Sequence, residues 1–483
     1  TSQKVRGMAV NLIREVISLA ESDPDRDSVI EVDGDTWSRR RIVNAACGLA
    51  EHLDAKLSQD AVVMLHGPGG GGFWSGMLAV LGTGRRVLPV NRDLPARDCE
   101  ALAEAQGVSA VIETDPTGSK AHVPNVISLD VEHTIGTDVL RLNRGQEGSL
   151  LLRSSGTTGR PAVALRNSKA LDVVTKTLID TIGFNSEDRV FATLPMHHAY
   201  GMEHAVLAPM RSGACVVWKS GFDLSESVER HLREATIFPA VPFTLEAATR
   251  IDGSQSLMRL AYTAGTTLPS AVRIEFESVW GVPVGDLYGA TELGTITWGT
   301  GGVANPVAGV SVQVLGDDGG TSSSGDGELL VRSDAMFDGY LAKHSGAPDR
   351  GRCVDGYLRT GDIGTLHLNG QVEITGRLKS QFDVGGLKVN PEEIEDALMG
   401  HPGVAEVAVV PLALTSTVTR VRAVIVIHSG WENEIHESLQ SYSQENLAPH
   451  QRPRIVDIHE SLPRTASGKL LRYQLLDDSA SSP

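Results

Sequence analysis

A chain of 483 residues, 41% of them hydrophobic, is too long for one ordinary domain and has material for more than one buried core. Its 43 Lys and Arg stand against 60 Asp and Glu, a formal net charge of -17, which argues against a nucleic acid or an anionic membrane surface as the main partner. Phosphate ligands stay open, because local amides and a few cations are enough to hold them.

The start, Thr1-Ser2-Gln3-Lys4-Val5-Arg6, lacks a signal peptide's layout, and no apolar run reaches the roughly 18 residues of a membrane-spanning helix. Cys47, Cys99, Cys215 and Cys353 are widely spaced, with no C-x-x-C pair. The expectation is a cytoplasmic protein with no membrane insertion. Ala61–Leu65 reads as a strand, Phe73–Leu81 as a helix and Val87–Val90 as a strand, a rhythm that predicts parallel α/β architecture. Val190–Leu194 reads as a further strand, ended by Pro195, which has no amide to donate, so the residues beyond belong in a loop at a strand end. After about Gly301 short strands separated by Gly, Asp and Ser, as in Gly325–Val331, predict a small β-rich subdomain. A separate C-terminal unit is expected from Gly376-Arg377-Leu378-Lys379 onward, ending near Tyr473 before a Ser-rich tail.

Chemistry concentrates in Ser154-Ser155-Gly156-Thr157-Thr158-Gly159-Arg160-Pro161, where small and hydroxylic residues let amides and OH donors approach an anion. This segment resembles the phosphate-binding loop of the adenylate-forming (ANL) superfamily of acyl- and aryl-CoA synthetases, luciferases and peptide-synthetase adenylation domains. Further segments resemble that family's motifs in its order: Leu194–Gly201 around His198, Gly265-Thr266, Asp286-Leu287-Tyr288-Gly289-Ala290-Thr291-Glu292, Leu358–Asp362, Gly376–Lys379 and Pro463–Lys469.

The resemblance implies an α/β fold: a large N-terminal domain, 1–376, of α/β subdomains plus a small β-rich subdomain, a hinge at 377–379, and a smaller mobile α+β lid, 380–483. It implies ATP or acyl-AMP, Mg2+ and coenzyme A as ligands, with a separate carrier protein as the alternative acceptor. Ser155, Gly156, Thr157, Thr158 and Gly159 would hold phosphate, and Gly265 and Thr266 would run along the nucleotide. Tyr288 would stack on adenine, Asp286 accept from its amino group, Gly289 complete the motif and Thr291 donate to a phosphate oxygen. Glu292 would be the magnesium ligand, a hard oxygen donor. Asp362 would accept both ribose hydroxyls, and Arg377 reach ribose or phosphate. His198 would lie beside the acyl group, Lys379 form the hinge, and Gly385 and Gly386 leave room for pantetheine. Lys469 would set a cation on the reacting oxygens as charge develops. From the residues themselves, the apolar stretch Phe238–Phe243, with Val241 and Phe243, suits a hydrophobic or ring-bearing acid.

Two departures bear on activity. Where the family's loop continues with Lys and Gly, this chain has Ala162 and Val163, which removes a cation from the phosphates and stiffens the loop. That predicts a weakened or absent adenylation half-reaction unless Arg160 or Arg166 compensates. The Phe222-Asp223-Leu224-Ser225 stretch resembles the substrate-ammonium motif of amino-acid-activating relatives, but its position predicts a helix N-cap. A competing class, an NAD-binding oxidoreductase, is suggested by Gly67-Pro68-Gly69-Gly70-Gly71-Gly72 with Asp93 beyond it, a match that four consecutive glycines make cheap.

Overall fold

The computed structural model describes residues 12–114, 123, 126–131, 136–142, 148–153, 162–265, 268–301, 303–316, 319–341, 348–378, 380–384, 387–414, 419–464 and 470–476. Two sheets flank a shared core. In the first, six strands run parallel in the spatial order Asp27–Glu31, Cys215–Trp218, Arg189–Ala192, Ile237–Ala240, Leu260–Ala264, Val284–Ala290. The second has a parallel set centred on Val62–His66, flanked by Arg86–Val90 and Val108–Glu113. Ser149–Arg153 extends that set and then turns antiparallel to Val163–Arg166. The helix Gly71–Gly82 has every residue buried, as a helix between two sheets must, and its sequence is accordingly apolar on all faces.

The glycine run that opens this helix is a packing device. A Cβ on Gly71 would lie 2.1 Å from Cγ of Trp37, one on Gly69 2.7 Å from the Trp218 indole, and one on Gly67 1.7 Å from Oγ1 of Thr114. The amide of Gly71 donates to Oε1 of Glu31 at 3.0 Å, so a carboxylate of the chain itself occupies the helix N-terminus where a dinucleotide pyrophosphate would have to sit.

The β-rich region after Gly301 exists, but it continues the first sheet. Val303–Pro306 bridges the strands Gly294–Thr300 and Val372–Arg377, beyond which Tyr357–Leu366, Gly325–Ser333 and Val310–Leu315 follow. Val372–Arg377 carries a bulge: Ile363 faces Gly376 whereas Gly364 faces Ile374, which leaves Thr375 as the extra residue. The Thr375 carbonyl accepts from Nδ2 of Asn390, whose Oδ1 caps the helix Pro391–Met399 by accepting from the Glu392 amide. That helix packs on a three-stranded sheet, Val404–Ala413, Thr419–Ile427 and Pro453–Ile458, around its own core of Val389, Ile394, Leu398, Val409, Ile425 and Leu439. Ser225 caps the helix Glu226–Glu234, as its position in the sequence predicts. No helix of the described residues is long and apolar enough to cross a membrane.

Because a methyl group at Gly71 meets the fixed face of Trp37, Gly71→Ala is expected to destabilise the N-terminal region by about 1–3 kcal/mol. Thermal denaturation checks this, and an unchanged midpoint would contradict the packing described.

Candidate active site

Parallel strands bring their C-terminal ends to one rim, and the chain leaves four of the six in the first sheet with a candidate residue. Beyond Ala192 the segment Leu194–His198 leads into a helical stretch that begins at Ala199, with His198 as its N-cap residue. Beyond Ala240 comes Val241, and beyond Ala264 comes Gly265, whose φ of +91° and open Cβ side suit glycine. Tyr288 lies near the end of the next strand, followed by the half-buried Thr291 and the buried Glu292. A π-turn, Glu203–Leu207, interrupts the helix after His198 and sets Glu203 and His204 inside the core.

His197 and His198 lie 4.4 Å apart between ring centroids, with their planes tilted by 43°. Burial, the neighbouring His198 and Arg153 push the His197 imidazole down to about 3, and burial with Arg153 also lowers His198. Both rings are therefore neutral at pH 7. Behind them Tyr200 donates to the Ala240 carbonyl at 3.2 Å. The Tyr262 hydroxyl, kept protonated by burial, lies 2.8 Å from Nδ1 of His204, an imidazole that burial keeps neutral. Trp298 meets the edge of Tyr262 at 5.5 Å. Phe243 corrects the sequence expectation: Pro242 starts a helix there, Leu245 and Ala248 take the inward positions, and Phe243 is 57% exposed. Phe238 belongs to the core, against Phe191 and Phe276.

The adenine and ribose motifs meet. Tyr288 donates its hydroxyl to Oδ2 of Asp362 at 2.6 Å, and Nε of Arg377 lies 2.7 Å from Oδ1. Asp362 is 3% exposed, Arg377 is directly opposite it in the strand register, and burial beside this carboxylate raises the Tyr288 phenol well above its usual range. The carboxylate is thus engaged at both oxygens, by a phenol and by a guanidinium. Asp286 also has a partner within the fold: its Oδ1 accepts from Arg273 at 2.5 Å.

Glu292 is held through Oε1, which accepts from the Tyr340 hydroxyl and lies 3.5 Å from the Arg352 guanidinium. Its Oε2 makes no hydrogen bond among the described residues. One hard carboxylate oxygen at the rim, supplemented by phosphate oxygens and water, is the donor set that Mg2+ uses in nucleotide sites, so the residues fit that ion.

Other assigned residues fall outside the described set: Ser155, Gly156, Thr157, Thr158, Gly159, Arg160, Thr266, Lys379, Gly385, Gly386 and Lys469. Their flanks are defined. Arg153 faces Val163 across the base of the phosphate loop, Val384 faces Leu387 across the glycine pair, and Arg464 bridges Leu470 across the lysine segment. Arg166 does not replace the loop lysine, because it is fully buried and paired with Glu203.

The family's sequence profile, described as AMP-binding enzyme, matches residues 18–341, and that of the AMP-binding enzyme C-terminal domain matches residues 393–469. The chain belongs to the AMP-binding enzyme family. Within this adenylate-forming family it is 32% identical over 343 residues to a 4-hydroxybenzoate–CoA/benzoate–CoA ligase of Rhodopseudomonas palustris, which is 67% of this chain and 63% of that protein. It is 26% identical over 471 residues to a malonate–CoA ligase of Arabidopsis thaliana, covering 83% and 75% of the two chains. The fold matches that of an anthranilate CoA ligase in complex with anthranoyl-AMP, with a TM-score of 0.83, 21% identity and coverage of 98% and 97%. It matches ATP-bound MatB from Rhodopseudomonas palustris with a TM-score of 0.85, 23% identity and coverage of 98% and 99%.

Family membership removes the oxidoreductase reading, as the closed packing of the glycine run requires. Arg273, Tyr340, Arg352 and the Tyr262–His204 pair escape sequence reasoning, since each finds its partner only through the fold.

For His197 and His204 the folded-state affinity for a proton is depressed, so the unfolded chain binds more protons between about pH 6.5 and about 3. Stability is therefore fully present above pH 6.5 and falls as the pH drops through this window. His197→Gln is expected to make that fall shallower, as read from thermal midpoints between pH 7.5 and 4.5; an unaltered slope would show that His197 is not buried neutral.

Proposed function

We propose that this chain is an AMP-forming acyl-CoA ligase acting on a small-molecule carboxylic acid in the cytoplasm. In the first half-reaction a carboxylate oxygen attacks the α-phosphorus of ATP and pyrophosphate leaves. In the second, the thiol of coenzyme A attacks the acyl carbonyl and AMP leaves. The observation that carries this reading is the junction of Tyr288, Asp362 and Arg377 at the same strand-end rim as His198 and Glu292, a nucleotide face beside an acyl face.

Tyr288 offers an aromatic face for adenine, and Asp362 accepts from the ribose. Thr291 donates to the α-phosphate, and neutral His198 lines the acyl group. Mg2+, held by Glu292 and the phosphates, supplies neutralisation of triphosphate charge. Lys469 brings the transition-state cation from the C-terminal lid, which turns about 377–379 so that Gly385 and Gly386 reach the pantetheine arm in the second half-reaction. Relatives named for aromatic acids and for malonate make benzoate-type and short dicarboxylic acids the first acids to try. The free thiols of Cys47, Cys99, Cys215 and Cys353 suit a reducing cytosol.

A panel of acids with ATP, Mg2+ and coenzyme A should give acyl-CoA and AMP for at least one acid, and a carrier protein in place of coenzyme A tests the alternative acceptor. Formation of neither thioester from acid or from supplied acyl-AMP would refute the reading. Lys469→Ala is expected to slow adenylate formation about 100- to 1,000-fold while leaving thioester formation from supplied acyl-AMP within about threefold. Lys379→Pro should change at least one half-reaction by about tenfold if the pivot is where the motif sets it.

Ala162, in place of the family's lysine, favours a second reading in which adenylation is the weaker half-reaction. Pyrophosphate exchange with the cognate acid, compared with turnover of supplied acyl-AMP, separates the two readings. Val163 is buried in the core beside Leu341, so restoring the family's glycine there would cost packing as well as change loop freedom.

A further inference from the structure

Resting on the ligase reading above, we propose that Arg352 is the phosphate-side cation of this site, taking on the β- and γ-phosphates the place that Ala162 leaves without a charge.

Tyr340 stands on the strand Gly339–Leu341, which pairs antiparallel with Val163–Arg166, the strand leaving the phosphate loop. The register sets Leu341 opposite Val163 and Tyr340 opposite Ala164, two residues from Ala162. The guanidinium of Arg352 donates to the Tyr340 hydroxyl at 2.5 Å, and that hydroxyl in turn donates to Oε1 of Glu292. Arg352 is thereby suspended between the exit of the loop and the carboxylate assigned to the metal. Its side chain is 47% exposed, and its guanidinium stands 5.7 Å from the centre of the Tyr340 ring. The direct contact to Glu292, at 3.5 Å, is long for a charge-assisted pair. This cation is therefore half-exposed, with one neutral hydroxyl as its short contact and the carboxylate as a long one. Arg166 is the contrasting case: fully buried and bonded to Glu203, it is unable to reach a ligand. Arg153 faces His197 and His198 on the acyl side.

Physical chemistry favours a shift of partners when nucleotide arrives. A planar guanidinium binds two phosphate oxygens at once, a stronger arrangement than one 3.5 Å contact to a carboxylate. Tyr340 keeps Glu292 in place when Arg352 turns to phosphate, because its own donated bond is unaffected. The fold thus brings in from some 190 residues downstream the positive charge that the loop's own sequence lacks. A salt bridge that only stabilises structure would make no distinction between AMP, which has no β-phosphate, and ATP.

Calorimetric titration of AMP, Mg-ATP and Mg-pyrophosphate into the full chain, with Arg352→Gln, Arg352→Lys, Ala162→Lys and the Ala162→Lys/Arg352→Gln pair, tests this without requiring turnover. Arg352→Gln should weaken Mg-ATP and Mg-pyrophosphate about tenfold or more, ~1.4 kcal/mol, and leave AMP within about twofold. Arg352→Lys should retain most of the affinity, and Ala162→Lys should rescue Arg352→Gln while adding little to the unsubstituted chain. Equal weakening of AMP and ATP, no weakening, or no rescue by Ala162→Lys would overturn the assignment. An unsubstituted chain that binds AMP but neither Mg-ATP nor Mg-pyrophosphate would overturn it while sparing the nucleotide face, and one that binds no AMP at all would overturn the ligase reading itself.

Discussion

A single carboxylate, that of Asp362, holds the nucleotide side of this protein together. A charge that is 3% exposed needs compensation, and it receives a phenol from one strand and a guanidinium from another. Tyr288 belongs to the strand that ends the parallel set, whereas Asp362 and Arg377 belong to the antiparallel extension. The group proposed to meet ribose is thus the group that joins the two halves of the sheet. It also ties down the last strand residue before the chain leaves for its C-terminal unit. Removal of the charge would take from Tyr288 and Arg377 the acceptor they share, so the proposed recognition and the architecture are coupled at this point.

What sequence reading reached and what it missed divide along physical lines. Parallel α/β rhythm, the strand ended before Pro195 and the N-cap at Ser225 are local features, determined by periodicity and by the donors a few residues supply. The family was legible because adenylate-forming chains carry these motifs in a fixed order. The partners of the motif residues were not. Tyr340 lies 48 residues from Glu292 in sequence, and Arg352 lies 60, so nothing in composition or spacing announces either contact. The ion pair of Asp286 with Arg273, 13 residues earlier, was likewise not announced. Phe243 was read as pocket lining because it is apolar, but Pro242 begins a helix whose inward positions fall two residues later. The β-rich texture after Gly301 was legible, whereas its continuity with the first sheet depends on pairings over tens of residues.

The glycine run shows how one pattern serves two physical ends. Glycines before a helix admit a pyrophosphate in one fold, and here they admit Trp37, Trp218 and Thr114. The deciding feature is Glu31, which fills the positive end of the helix with a charge of the chain's own.

The bulge at Thr375 has a mechanical consequence. Its carbonyl and the Asn390 amide lie on opposite sides of residues 377–379, so their hydrogen bond spans the proposed pivot like a snap fastener. Such a bond belongs to one orientation of the lid, and turning the lid exchanges it for water at a net loss of about 1 kcal/mol. Asn390 still caps its own helix through Oδ1, so release leaves the lid folded. In the proposed rotation this one bond resists the turn by an amount small enough for thermal motion or a bound product to overcome.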